Sequence, residues 1–231
     1  MSAKDPQEPT GDRKVVTMSD ATPPARYRPI QEVDAYWQAL RVDHTVPRRS
    51  DINPRGIESA LSHAFVLERI APGQGRLRLA GSHLGDLMGM DVRGMPFSAM
   101  FTAPARRLVS QTLERVFSDP ARAILSLSSP AVRGQAAIEA RVVLLPLESD
   151  LGDISRVLGC FVAIDPIGTA PRRFDVVGRG LTSLSDPLTD ASALPAIEPV
   201  EREARGLAES PTSFEAGPRP YLRVVKNNRS E

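Results

Sequence analysis

Apolar residues recur through the middle of the chain with two different periods, and each change of period marks a boundary between elements. From Gln31 to Val42, the residues Val33, Tyr36, Trp37 and Leu40 fall at i, i+3, i+4 and i+7, one face of an amphipathic helix, with Glu32 and Asp34 toward its positive end and Arg41 toward its negative end. Asn53 followed by Pro54 is a cap followed by proline at the first helical position, which predicts a short helix through Leu61. The period then drops to two. Ala64–Ile70 reads as one strand and Arg76–Ala80 as the next, with Leu77 and Leu79 alternating against Arg76 and Arg78 and the turn at Pro72–Gly75. Gly81 breaks the strand and Ser82 offers a capping hydroxyl. His83–Met88 then makes barely two helical turns, with Leu84, Leu87 and Met88 on one face, before Gly89 ends it in the left-handed backbone such a position favours.

Pro104–Phe117 is the longest predicted helix, its stripe formed by Leu108, Val109, Thr112, Leu113, Val116 and Phe117, and Asp119 and Pro120 stop it. Three strands follow, Ala123–Ser128, Ala136–Leu147 and Arg156–Ile164, joined by links short enough for antiparallel hairpins. This order is α+β. The ends differ from the middle. Residues 1–29 are polar and proline-containing and read as a disordered arm, residues 30–165 as the single folded domain, and residues 166–231 as a mostly disordered tail. Within that tail Arg173–Leu184 could form one more short element, while Tyr221, Leu222, Val224 and Val225 in the segment 220–226 form a short aliphatic motif. Such a motif suits addition to a strand edge, its own or a partner's, and weighs evenly against a tail without a role.

Within Ile30–Asp165 the chain resembles a known family. Strand, strand, short helix and then Gly89, Gly94 and Phe97 in a Gly-x-x-x-x-Gly-x-x-Phe run are similar to the first half of a PAS sensory domain. The match extends to a bacterial family of small stand-alone PAS-like proteins, on Tyr36, Trp37, Pro47, Arg48, Arg49, Asp51, Ile52, Pro54, Ile57, Leu61, His63, Phe65, Arg78, Gly81, Leu84 and Leu87. The resemblance implies a five-stranded antiparallel sheet flanked by short helices and one longer helix. It also implies a cavity between the sheet and the short helices, for which Phe65, Leu79, Leu84, Leu87, Met88, Met95, Phe97, Val116 and Phe161 are the candidate lining. The same residues are what a filled core demands, although the cluster of methionines suits a deformable pocket. In many PAS proteins an N-terminal helix packs between subunits. The Val33, Tyr36, Trp37 and Leu40 face is therefore either part of the domain's own core or a homodimer interface.

Charge narrows the partners. Of 231 residues, 29 are Lys or Arg and 28 Asp or Glu, for a net charge of +1, with no dense basic domain along the chain. Nucleic-acid binding draws most of its affinity from neutralised phosphates, so a balanced chain argues against it. The single cysteine, Cys160, excludes an internal disulfide, and no apolar run is long enough to span a bilayer. With no apolar stretch of signal-peptide type at the N-terminus, the expected location is the cytoplasm. Met18 is an alternative start.

Catalytic patterns are missing from the sequence. The three histidines, His44, His63 and His83, are far apart in the chain, Gly178–Gly180 lacks the rest of a nucleotide fingerprint, and Asp34, Asp51, Glu68 and Asp86 read as surface or capping acids. The resemblance raises two cofactors. A flavin photosensor needs a reactive cysteine in an Asn-Cys-Arg run, and a haem sensor an axial histidine on the long helix; the chain has neither, so no cofactor is expected. The expectation is a non-catalytic signalling module that acts through contacts with a protein partner, tuned or not by a small apolar ligand. A small-molecule receptor is the alternative, and an enzyme of unrecognised type stands third.

Overall fold

The computed structural model describes residues 26–41, 46–131, 135–164, 166–185 and 194–200. The chain divides into two units, 1–200 and 201–231, and every described residue lies in the first. The arm at 1–25 and the 220–226 motif, with Tyr221, Leu222, Val224 and Val225, lie outside the described residues.

Helix α1 spans Arg28–Ala39, three residues earlier at each end than the periodicity predicts, because Pro29 occupies the first turn, where its fixed φ is favourable. Two 3₁₀ segments, Arg49–Asp51 and Pro54–Ala60, follow. Asn53 caps the second as expected, its side-chain oxygen accepting from the Arg55 amide at 3.1 Å. Strands β1 (Ala64–Ala71) and β2 (Gln74–Ala80) form a hairpin whose turn holds Gly73 at φ +64°. Helix α2 (Ser82–Met88) begins with Gly81 as its cap and Ser82 as its first helical residue, so the Ser82 hydroxyl is not the cap. Gly89 ends the helix at φ +69°. A 3₁₀ turn at Phe97–Met100 and helix α3 (Arg106–Ser118) lead into β3 (Ala121–Ser129), β4 (Ile138–Leu147), β5 (Arg156–Ala163), β6 (Asp175–Ser183) and β7 (Glu198–Pro199).

The sheet has seven strands, not five, in the order β2-β1-β5-β4-β3-β6-β7, with every named pair antiparallel. β6 and β7 add to the free edge of β3 from beyond residue 165, so the ordered sheet extends into what reads as tail: β6 falls within the short element expected at Arg173–Leu184, whereas β7, in a stretch of low apolar content, is not marked by periodicity.

Both faces of this sheet are covered. Phe65 and Leu67 of β1, Val142 and Leu144 of β4 and Phe161 of β5 face a core closed by α2, the 3₁₀ turn and α3. Alternate residues Ala64, Val66, Val143, Leu145, Leu158 and Cys160 face a second core closed by α1 and the Pro54–Ala60 turn. Val33 and Trp37 are fully buried there, and Tyr36 and Leu40 pack against it half-buried. The α1 face is thus covered by the chain's own sheet.

Candidate functional site

The inner face is where the expected pocket lies. Phe65, Leu84, Leu87, Met88, Phe97, Val116 and Phe161 converge in one buried cluster, with Met95 packed at its margin. Leu79 does not join them and is 52 % exposed. A β-bulge is the cause: Leu67 pairs with Leu77 but Val66 pairs with Leu79, so Arg78 is the extra residue and everything after it changes face. Leu79 therefore follows Val66 to the outer side, while Ala80, opposite Phe65, turns inward.

The cluster is built ring against ring. Phe65 stacks on Phe97 with centroids 5.2 Å apart, Phe97 meets Phe101 edge-on at 5.1 Å, and Phe161 meets Phe174 edge-on at 5.1 Å. Gly159 makes room for this. Its cross-strand partner is Phe65, and a Cβ at residue 159 would collide with the Phe65 ring. Neither Phe101 nor Phe174 is singled out by sequence periodicity as a site residue, because one lies in a loop after a 3₁₀ turn and the other just before β6.

A surface cleft of about 590 Å³ opens beside this cluster, between the end of α2 and the residues after β5. Gly85, Asp86, Gly89, Met90, Asp91, Ile167 and Gly168 line it. Met90 stands at 58 % exposure, and the Asp91 carboxylate is held well below its usual range, to about 2, by hydrogen bonds from the Arg93 side chain and amide. The wall is anchored by Arg172, which is buried. Its guanidinium donates to the Gln135 side chain and, at 2.7 Å, to the Ala136 carbonyl, while its amide donates to the Leu87 carbonyl at 2.7 Å.

His63 and His83 are brought together, ring centroids 4.6 Å apart, at the start of β1 and α2. The His83 Nε2 accepts from the Ala163 amide at 3.1 Å, which ties α2 to the end of β5 and requires that nitrogen to be unprotonated. Burial pushes the His83 imidazole down to about 4, with His63 acting in the same direction and Asp86 against it. Burial lowers His63 as well. Among the described residues no group of three or more His, Cys, Asp or Glu side chains could hold a metal ion.

The other acids have structural partners. Asp34 receives both of its oxygens' hydrogen bonds from Arg122 on β3, each at 2.7 Å, in a buried ion pair. Asp51 accepts from the Arg48 amide at 3.0 Å, and Glu68 pairs with Arg156 at 2.7 Å and with Arg78. Tyr36 explains why its loop carries Asp51, Asn53 and Gly56: its hydroxyl accepts from the Asn53 amide at 2.7 Å and donates to the Asp51 carbonyl at 3.4 Å, and its ring occupies the space a side chain at residue 56 would need. Cys160 is wholly buried in the outer core, and burial pushes its thiol far up, with Glu32 adding to the effect.

A sheet with short helices and an aromatic cluster on its inner face, the left-handed Gly89 and the long α3 are matched by a family model. The model is described as PAS domain, and it covers residues 25–162. The chain belongs to the PAS domain family. No curated protein matches it. PAS domains are sensory and regulatory modules, and the match begins at α1 and ends within β5, so β6 and β7 lie beyond it. Among the described residues no helix is long and apolar enough to cross a membrane.

Proposed function

We propose that this PAS domain is a non-catalytic regulatory module that acts through contacts with another protein. The observation that carries this reading is the inner face itself. Phe65 stacks on Phe97, and Phe97 and Phe161 are met edge-on by Phe101 and Phe174, so side chains fill the inner face on which a ligand would sit. Cys160 is buried in the outer core, away from that cluster, and so is not placed to react with a flavin held on the inner face. No haem or other cofactor enters the proposal. The balanced charge favours protein over nucleic acid as partner.

A receptor is the second reading, and the cleft beside Gly89 favours it. At about 590 Å³ it falls within the size range of small-molecule sites, and Met90 at its mouth is an adaptable side chain. Native mass spectrometry of freshly purified full chain separates the two. The regulatory reading expects the bare polypeptide mass. A small molecule retained at one per chain would establish the receptor reading instead.

A further inference from the structure

β6 contains Gly178, Arg179 and Gly180, and the two glycines lie beneath the chain's own segment 194–200. A Cβ at Gly180 would collide with the Ala196 carbonyl oxygen and come 3.0 Å from its carbon; one at Gly178 would come 2.6 Å from the Ile197 side chain and 3.2 Å from the Glu198 carbonyl oxygen. The glycines form a shallow saddle on the outer face. Across it, Leu194 and Ile197 reach down to the outer core.

The segment's backbone pairing is short, and its hold comes from side chains: Pro195 is buried and Val200 packs against the inner core. Among the described residues its ladder with β6 pairs Gly178 with Pro199 and Arg179 with Glu198, and the Val200 amide donates to the Val177 carbonyl at 3.0 Å. Pro195 and Pro199 have no amide hydrogen to donate, so the ladder cannot be strengthened at those positions. Ala196, Glu198 and Pro199 are exposed. β6, by contrast, is firmly part of the sheet, paired with β3 along its length.

The glycines let a strand lie close over β6, and the two-pair ladder, which the prolines keep from growing, suits a strand that exchanges with another of like shape. We infer that the saddle at Gly178–Gly180 is a docking site for an extended segment of a partner protein, and that residues 194–200 occupy it in cis until displaced. The occupant in place defines the chemistry of the partner. It should be an extended stretch with two aliphatic residues three apart, as Leu194 and Ile197 are, followed by an acidic residue to face Arg179, as Glu198 does. This rests on the regulatory reading above and deepens it by naming the surface.

Tethering gives the cis segment an effective concentration on the order of millimolar, so an external strand must compete against it. The test uses the full chain and a fluorescein-labelled peptide of the sequence of residues 194–200. Ile197→Asp weakens the cis occupant and leaves the saddle intact, and should bind the peptide at least about tenfold more tightly than the natural chain does. Adding Gly180→Val, which fills the saddle, should abolish that gain. Hydrogen exchange at the Val200 amide should quicken in Ile197→Asp, with the melting temperature nearly kept. Equal peptide binding by all three proteins, or global unfolding of Ile197→Asp, would overturn the inference, the second outcome because it makes 194–200 part of the core. Tight peptide binding without any cellular partner would instead count against the regulatory reading and leave the saddle standing.

Discussion

The Trp37 indole nitrogen donates a hydrogen bond to the Pro146 carbonyl at 2.9 Å, deep between α1 and β4. Proline at residue 146 gives no amide to the ladder, and Trp37 takes up its carbonyl from outside the sheet. One side chain thus supplies both the largest apolar contact of α1 and the polar satisfaction of the strand beneath it. Trp37→Ala should cost about 3–5 kcal/mol in chemical denaturation, and Trp37→Phe less, since only the hydrogen bond and part of the volume are lost. Because the residue is buried within one chain, sedimentation velocity should show the same species for the natural chain and Trp37→Phe.

The Asp34–Arg122 pair joins the same helix to β3. The Arg122 side chain is wholly buried, so removing the carboxylate takes away the charge it pairs with at 2.7 Å while its desolvation remains. Asp34→Asn should destabilise by about 3–5 kcal/mol, whereas replacing Asp34 and Arg122 together by Leu and Met should recover most of that loss. A double-mutant cycle in urea measures the difference.

How much of this is legible in the sequence depends on the range of the interaction. Gly89 is legible because a helix end is local: the left-handed turn at φ +69° follows from the residues on either side. Asn53 and Pro54 are legible for the same reason. Leu79 is not, since the bulge at Arg78 exists only in the pairing of β2 with β1. The Asp34–Arg122 pair spans 88 residues, and on sequence alone Asp34 reads as a helix-end acid facing solvent. β6 is legible only as a short element at Arg173–Leu184 and not as a strand of the sheet, because two of its nine residues are the glycines that admit 194–200 and interrupt the alternation that marks a strand. The inner-face cluster is legible except where that bulge or a loop decides the outcome, at Leu79, Phe101 and Phe174.

Three glycines with positive φ should rank by what surrounds them. At Gly89 a Cβ would lie 2.9 Å from that of Ala170, at Gly168 no closer than 3.9 Å to Gln135, and at Gly94 it would meet nothing within 4 Å. Each Gly→Ala change carries a backbone strain of about 1 kcal/mol, and Gly89→Ala adds a steric cost the others lack. Gly89→Ala should therefore lower the melting temperature most. Equal shifts at Gly89 and Gly94 would mean that the Gly89–Ala170 approach relaxes freely.

Acid should loosen α2 through His83. Its folded value of about 4 lies below the ordinary 6.5, so the unfolded chain takes up a proton first as pH falls. Stability from this group is complete above pH 6.5 and declines progressively down to about 4; after discounting for partial exposure the loss is about 1–2 kcal/mol. His63, beside it, is depressed in the same direction. His83→Gln, which can still accept from Ala163, should flatten the slope of stability between pH 6.5 and 4. An unchanged slope would place the acid sensitivity elsewhere.

The 220–226 motif is tested by truncation. Deleting residues 220–231 should leave the melting temperature of the domain nearly unchanged and remove at least one protein from those recovered with the full chain. A lowered melting temperature would mean that the motif completes the domain's own sheet.

The most direct test of the regulatory reading is affinity capture of the full chain, after crosslinking, from the cells that make it, with bound proteins counted per copy of bait. At least one protein should be recovered at close to one per chain, and recovered again when the two purified proteins are mixed. No such protein, together with a small molecule retained by the same preparation, would contradict that reading and make the domain a receptor.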